Sequence, residues 1–318
     1  MLRLSCTIGL WALFAAAPLL AQTHANTASL TLEQAGDLTK AGQFQKALKA
    51  YDELVKVDSL RVAALTMRGQ LKFLELNKSE DGFADVQEAV QLDPTNLLAL
   101  TTRGNMYLSL SMPDRALTDM SVAMGSAKDG ADSSIVLFIT GLAYLQIRDF
   151  QDAYTSFAYC LSQDSLNTAA LINMATTLDN LDRKEEALEI MLAVDARAPD
   201  DLATMSNIGF ILSKMDRYPE AIQWFDKCVK LAPKEAVPLN NRGYAKLMNG
   251  DPDGAVKDID RSLKLNPDNS YAYRNLGLAM QAKGEMDKAC TAWEAALSRG
   301  FTRSYGPEVK ALHEAHCH

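Results

Sequence analysis

The sequence predicts an all-α solenoid of about eight helix–turn–helix units, and three observations carry that prediction. A small residue recurs at Ala35, Gly69, Gly104, Gly141, Ala175, Gly209, Gly243 and Gly277, at intervals of 34, 35, 37, 34, 34, 34 and 34. A second small column, Ala47, Gly82, Ala116, Ala153, Ala187, Ala221, Ala255 and Ala289, trails the first by 12 residues in every unit but the second, where the gap is 13. Four residues beyond it stands a larger apolar side chain: Tyr51, Val86, Met120, Phe157, Met191, Phe225, Ile259 and Trp293. A period of roughly 20–50 residues marks stacked supersecondary units, none of which buries its apolar face alone.

Each column has a physical task. Two helices about 8–10 Å apart need small residues where they cross. The large residue one turn on fills the groove beside the crossing. Pro94, Pro199, Pro233 and Pro267 close four units, because proline cannot continue a helix. Pro113, Pro219 and Pro252 open second helices, where a missing N–H costs nothing. The stretch from Leu202 to Leu231 shows the whole unit, with Gly209, Ala221 and Phe225 in place and Pro233 after it.

A 34-residue helix–turn–helix unit with this small–large spacing and terminal proline resembles the tetratricopeptide repeat family. The resemblance covers residues 28–301 as eight units and implies a right-handed α-solenoid. Unit 2 departs most, with Gly82 for alanine and one extra residue in its turn. A polar insertion at 126–134 before unit 4 is read as a longer loop. Residues 302–318 are read as a C-terminal capping helix, with Gly306-Pro307 starting it.

The chain begins with residues 1–21, where Arg3 is the only charge before an apolar, alanine-rich run. That order fits a secretory signal cleaved after Ala21 or Ala25, with an uncleaved anchor as the alternative. Cys6 precedes the run, which does not fit a lipoprotein signal. Residues 22–27 form a polar, flexible lead. The reading is therefore of an exported protein, periplasmic in a bacterium or secreted. Removing Arg3 takes the net charge from −8 to −9. Such acidity argues against nucleic acid as partner and offers no basic patch to an anionic membrane.

Cys160 and Cys228 hold the same slot in units 4 and 6 and read as small buried apolar residues. One whole unit separates them, too far for a disulfide. Cys290 and Cys317 lie level on an antiparallel helix pair, ten residues before Gly300 and ten after Pro307. In an oxidising compartment they form a disulfide that pins the cap, against the alternative of two free thiols.

Three units pair arginine before the first small residue with aspartate on the second helix: Arg68 with Asp85, Arg103 with Asp119, Arg242 with Asp258. The other five units have neither. A bidentate bridge between the two helices of a unit explains the covariation, with a functional row of charges as the alternative.

Asn173, Asn207, Asn241 and Asn275 recur at intervals of 34 on the first helices of units 5–8. The family resemblance implies that this face looks into a concave groove shared with Phe210, Tyr244 and Tyr271. Amides there can donate to and accept from the main chain of an extended partner segment, or merely bond a neighbouring helix. The family's basic clamp for peptide carboxylates is missing; Arg274 is the lone cation near these asparagines.

The tail, His313-Glu314-Ala315-His316-Cys317-His318, departs from the zinc-protease pattern because Cys317 stands where a second histidine is required. No functional metal and no cofactor are expected. The repeats lack histidine, a phosphate loop and a nucleophile elbow, so catalysis finds no support. The reading is a non-catalytic protein–protein interaction scaffold that binds another protein's extended segment or helix in its groove. The alternative is a structural component of an envelope complex, docking by its convex face, its ends or self-association.

Overall fold

The computed structural model describes residues 31–317. The expected secretory signal and lead and the first residues of unit 1 lie outside the described residues, as does His318. Among the described residues there are eighteen α-helices, one short 3₁₀ turn and no strand. They fall into two compact units that divide between Leu181 and Asp182, inside the fifth repeat.

In the first unit the helices run α1 (Leu32–Lys40), α2 (Phe44–Leu54), α3 (Arg61–Leu74), α4 (Ser79–Leu92), α5 (Leu97–Ser109), α6 (Pro113–Ser126), α7 (Gly130–Ile147), α8 (Phe150–Gln163) and α9 (Thr168–Asn180). The second unit has α10 (Lys184–Arg197), α11 (Leu202–Lys214), α12 (Tyr218–Leu231), α13 (Ala236–Met248), α14 (Pro252–Leu265), α15 (Ser270–Ala282), α16 (Met286–Ser298), α17 (Phe301–Tyr305) and α18 (Glu308–His316).

The small columns sit at the crossings. A Cβ added to Gly104 would come within 2.7 Å of Met120, and one on Gly141 within 2.6 Å of Phe157. Gly209 meets Phe225 and Gly243 meets Ile259 in the same way, each at 2.7 Å. Gly82 explains why unit 2 departs from alanine: its Cβ would lie 2.5 Å from the Gly69 carbonyl oxygen and 2.7 Å from the Phe73 nitrogen, so backbone meets backbone there. The large residues fill the cores. Tyr51 and Leu71 are buried in one cluster of the first unit. Leu65, Leu100, Met120 and Ile139 form another. Ile259 and Ala272 anchor one cluster of the second unit, and Trp293, Phe301 and Val309 a further one.

One residue in each intra-repeat turn has a left-handed backbone: Gly42, Asn77, Ser111, Arg148, Asp182, Asp216, Gly250 and Gly284. Each lies five residues before the second small column. The conformation reverses the chain within a few residues, and only glycine adopts it without steric cost. Four first helices are capped by side chains at the matching place, with Asn96 accepting from Ala99, Asn167 from Ala170, Asp201 from Thr204 and Asn269 from Ala272.

The insertion before unit 4 is not a long loop. Asp129 accepts from the Asp132 backbone, and Asp132 in turn accepts from the Lys128 backbone. These reciprocal caps start α7 early and give it 18 residues. Among the described residues α7 alone is long and apolar enough to cross a membrane, yet it packs within the first unit on α5, α6 and α8. The C-terminal cap also differs from a single helix. It is two short helices broken at Gly306, whose φ is 97°. Phe301, placed by the sequence in the last repeat, is fully buried as the first residue of that cap.

Candidate partner-binding faces

First helices of successive repeats touch one another, α1 on α3, α3 on α5 and α5 on α7 in the first unit, α11 on α13 and α13 on α15 in the second. Each second helix packs mainly on the two helices adjoining it in the chain. The first-helix face is thus the inner face of each unit, and the two units present different chemistry on it.

In the first unit a hollow of about 110 Å³ opens between α3, α5 and α7. Phe73, Leu74, Leu98 and Ile135 form its apolar wall, and Leu98 remains 39% exposed. Gln70 and Leu74 are shared with a smaller hollow toward α1 and α2, which Glu75 also lines. Gln70 and Asn105 follow the small-column glycines of their repeats by one residue. Among the described residues neither amide has a hydrogen-bond partner. Sequence reasoning placed the groove in units 5–8 and missed this hollow. The position one residue after the small column was its signal, since it carries both amides.

The four asparagines do not behave alike. Asn173, on α9 of the first unit, donates to the carbonyl of Ala169 in its own helix at 2.8 Å. In the second unit Asn207 is half-buried and Asn241 is 9% exposed, and neither side chain has a partner among the described residues. Asn275 is fully buried; it donates to Asn240 at 3.0 Å and accepts from Arg274 at 2.8 Å. Its amide is spent on the fold, so its place among the groove residues is corrected to an architectural one.

Arg274 and Tyr271 are also taken up by the fold. The guanidinium lies 5.5 Å from the Tyr244 ring centre and 5.4 Å from that of Tyr271. Its Nε and Nη2 donate to Glu308 of α18. Burial alone would lower the Arg274 pKa, but the bond from Glu308 and the neighbouring tyrosines raise it above its ordinary value. Tyr271 stacks on Phe301 at 6.0 Å and meets Tyr305 edge-on at 5.2 Å. Phe210 remains on the inner face, with the Lys214 ammonium 5.6 Å from its ring centre.

The three Arg–Asp pairs are bidentate bridges between the helices of one repeat. Arg68 reaches Asp85 at 2.8 and 2.7 Å, Arg103 reaches Asp119 at 2.8 and 2.7 Å, and Arg242 reaches Asp258 at 2.7 and 2.6 Å. The remaining Nη1 of each turns to the preceding repeat, onto Asp52, Gln87 and Asp226. Each arginine therefore ties three helices. Lys72 and Lys246 add a bond to Asp85 and Asp258. Burial pushes the Asp258 carboxyl up, but Arg242 and Lys246 more than offset it and hold the group below its ordinary value.

Cys160 and Cys228 are wholly buried and free, and burial raises both thiols above their ordinary pKa. Each has a serine hydroxyl beside its sulfur, Ser134 at 3.2 Å and Ser206 at 3.6 Å. Cys290 and Cys317 face each other with Cα atoms 5.6 Å apart. His313 points to Glu294, with Nε2 and Oε1 3.2 Å apart.

Models of the tetratricopeptide repeat match residues 32–96 and 240–302, 144–207, and 202–232. The chain belongs to the tetratricopeptide repeat family. Comparison with curated proteins gives no match. A solved tetratricopeptide repeat protein from Parabacteroides merdae is similar at 18% identity, with a TM-score of 0.59, covering 78% of this chain and 97% of its own. A thermophilic tetratricopeptide repeat protein of Thermus thermophilus is similar at 18% identity, with a TM-score of 0.50, covering 57% of this chain and 97% of its own. At such identity the likeness concerns the fold. Tetratricopeptide folds point to protein–protein interaction scaffolds, and both inner faces described above belong to such repeats.

Proposed function

We propose that this tetratricopeptide repeat protein is an exported, non-catalytic scaffold that holds a segment of another protein on its first-helix face. The open hollow between α3, α5 and α7 carries this reading. It joins apolar wall to unpartnered amides, and so suits an apolar anchor side chain with main-chain hydrogen bonds beside it. Asn207, Asn241, Phe210 and Tyr244 form a second contact surface in the second unit. Residues 1–21 direct export and are removed. In the oxidising compartment Cys290 and Cys317 join as a disulfide that holds α18 on α16.

The test is capture of partners from an envelope fraction by the mature chain, by Leu98→Gln and by the Asn207→Ala/Asn241→Ala double variant. A partner held by the native chain and lost by Leu98→Gln supports the first-unit hollow. Loss with the double variant alone moves the contact to the second unit. A partner held equally by all three overturns the inner-face reading in favour of docking through the outer face or the ends.

A further inference from the structure

The charged residues that line the two hollows of the first unit are both acidic. Glu75, at the C-terminal end of α3, lines the smaller hollow, and Asp132, in the first turn of α7, lines the larger one. Among the described residues neither carboxylate has an ion-pair partner. Asp132 accepts only the backbone N–H of Lys128. The cations on α3 and α5 are committed elsewhere: Arg68 and Lys72 to Asp85, Arg103 to Asp119, and Arg61 to Glu88. Phe73, Leu74, Leu98 and Ile135 line the larger hollow beside Asp132, with the free amides of Gln70 and Asn105, and Gln70 and Leu74 continue into the smaller hollow beside Glu75.

We infer that this surface takes a basic–apolar segment of a partner protein. An apolar side chain enters the hollow at Leu98, lysines or arginines on either side of it face Glu75 and Asp132, and the amides bond the main chain between them. This deepens the proposed function and rests on the inner-face reading. It commits the site to charge opposite to that of a carboxylate-terminated or acidic peptide, which the two carboxylates repel. Charge complementarity of this kind selects the partner and speeds its arrival.

The purified protein is panned against a library of random peptides of about twelve residues, the length that an extended segment needs to cross three first helices. The expected result is enrichment of peptides with net positive charge around one or two apolar residues. Their affinity, read by fluorescence anisotropy, falls about tenfold in Glu75→Gln/Asp132→Asn and weakens with salt. It is unchanged in Glu189→Gln/Glu235→Gln, which removes two exposed charges from the second unit. Enriched peptides that are neutral or acidic, lost with Leu98→Gln but indifferent to Glu75→Gln/Asp132→Asn, overturn the charge assignment and leave the inner-face reading standing. Peptides that bind Leu98→Gln as tightly as the native protein, or no enrichment at all, overturn both. Circular dichroism of each variant, unchanged from the native protein, separates lost binding from lost fold.

Discussion

The two compact units share one repeat and differ in what their inner faces leave free. In the first unit the face is apolar and open, with Leu98 exposed, Glu75 and Asp132 without an ion-pair partner and Gln70 and Asn105 without a hydrogen-bond partner among the described residues. In the second unit the C-terminal segment has taken the end of the face. Glu308 holds Arg274, Phe301 and Tyr305 hold Tyr271, and Asn275 is sealed against Asn240. An equal period in sequence therefore does not mean equal exposure. A side chain is open to a partner only where no neighbour stacks on it, and the last repeat always has a special neighbour.

The largest effects are expected at the ion pairs, where Arg103–Asp119 of the first unit lacks the added lysine that Arg242–Asp258 of the second unit has. Asp119→Ala in the first unit strands Arg103, which is then left with the amide of Gln87 and the Tyr107 ring but no anion, and costs about 3 kcal/mol by urea unfolding. Arg103→Met/Asp119→Ala restores much of that loss, because no uncompensated charge remains. The corresponding Arg242→Met/Asp258→Ala variant restores less, since Lys246 also bonds Asp258 and loses its anion. Equal recovery in the two double variants would remove this distinction. The Asp258 bridge also has a pH signature. Its folded pKa lies below the unfolded value of about 3.9, so its contribution is fully present above that pH and is lost as pH falls through the folded value. Asp258→Asn should therefore narrow the gap in stability to the native protein as pH falls below about 4.

A smaller effect separates the asparagines. Asn275→Ala removes the donor to Asn240 and the acceptor of Arg274 inside the protein, and should cost about 2 kcal/mol. Asn207→Ala removes an amide without a partner and should change stability by less than about 0.5 kcal/mol. Thermal unfolding of the pair checks this; equal losses would mean that Asn207 also serves the fold.

The smallest effect lies in the turns. Arg148 holds a left-handed backbone in the first unit at φ 65°. Arg148→Gly should relieve that strain and stabilise by up to about 1 kcal/mol. In the second unit Asp216 has φ 57° but accepts a hydrogen bond from the Tyr218 hydroxyl, and aspartate tolerates this region better than arginine. Asp216→Gly should gain less or nothing, and calorimetry of the two variants separates the cases.

Much of the fold was legible in the sequence because the repeat constrains it at every 34 residues. The glycines at the crossings, the large residues beneath them and the paired Arg and Asp each satisfy a requirement local to one helix hairpin. The turn column from Gly42 to Gly284 was equally periodic but was not recognised, because its conformation is shared by Asn, Ser, Arg, Asp and Gly and shows no common chemistry. The candidate site was less legible. Asn173, Asn207, Asn241 and Asn275 look identical in sequence, yet only Asn207 and Asn241 keep an unpartnered amide in the structure. Gln70 and Asn105 stand one residue after the small column, a position whose residue type changes from repeat to repeat, yet they line the open hollow.

The sequence by itself determined the helix hairpin, its period, its crossings and its ion pairs, because these depend on residues within about one repeat of each other. The tertiary structure alone decided the division inside the fifth repeat, the burial of Asn275 against Asn240, the hold of the C-terminal cap on Arg274 and Tyr271, and the exposure of the hollow between α3, α5 and α7. These depend on which surfaces of successive repeats come into contact, and burial at a contact is a property of the packed pair rather than of either residue.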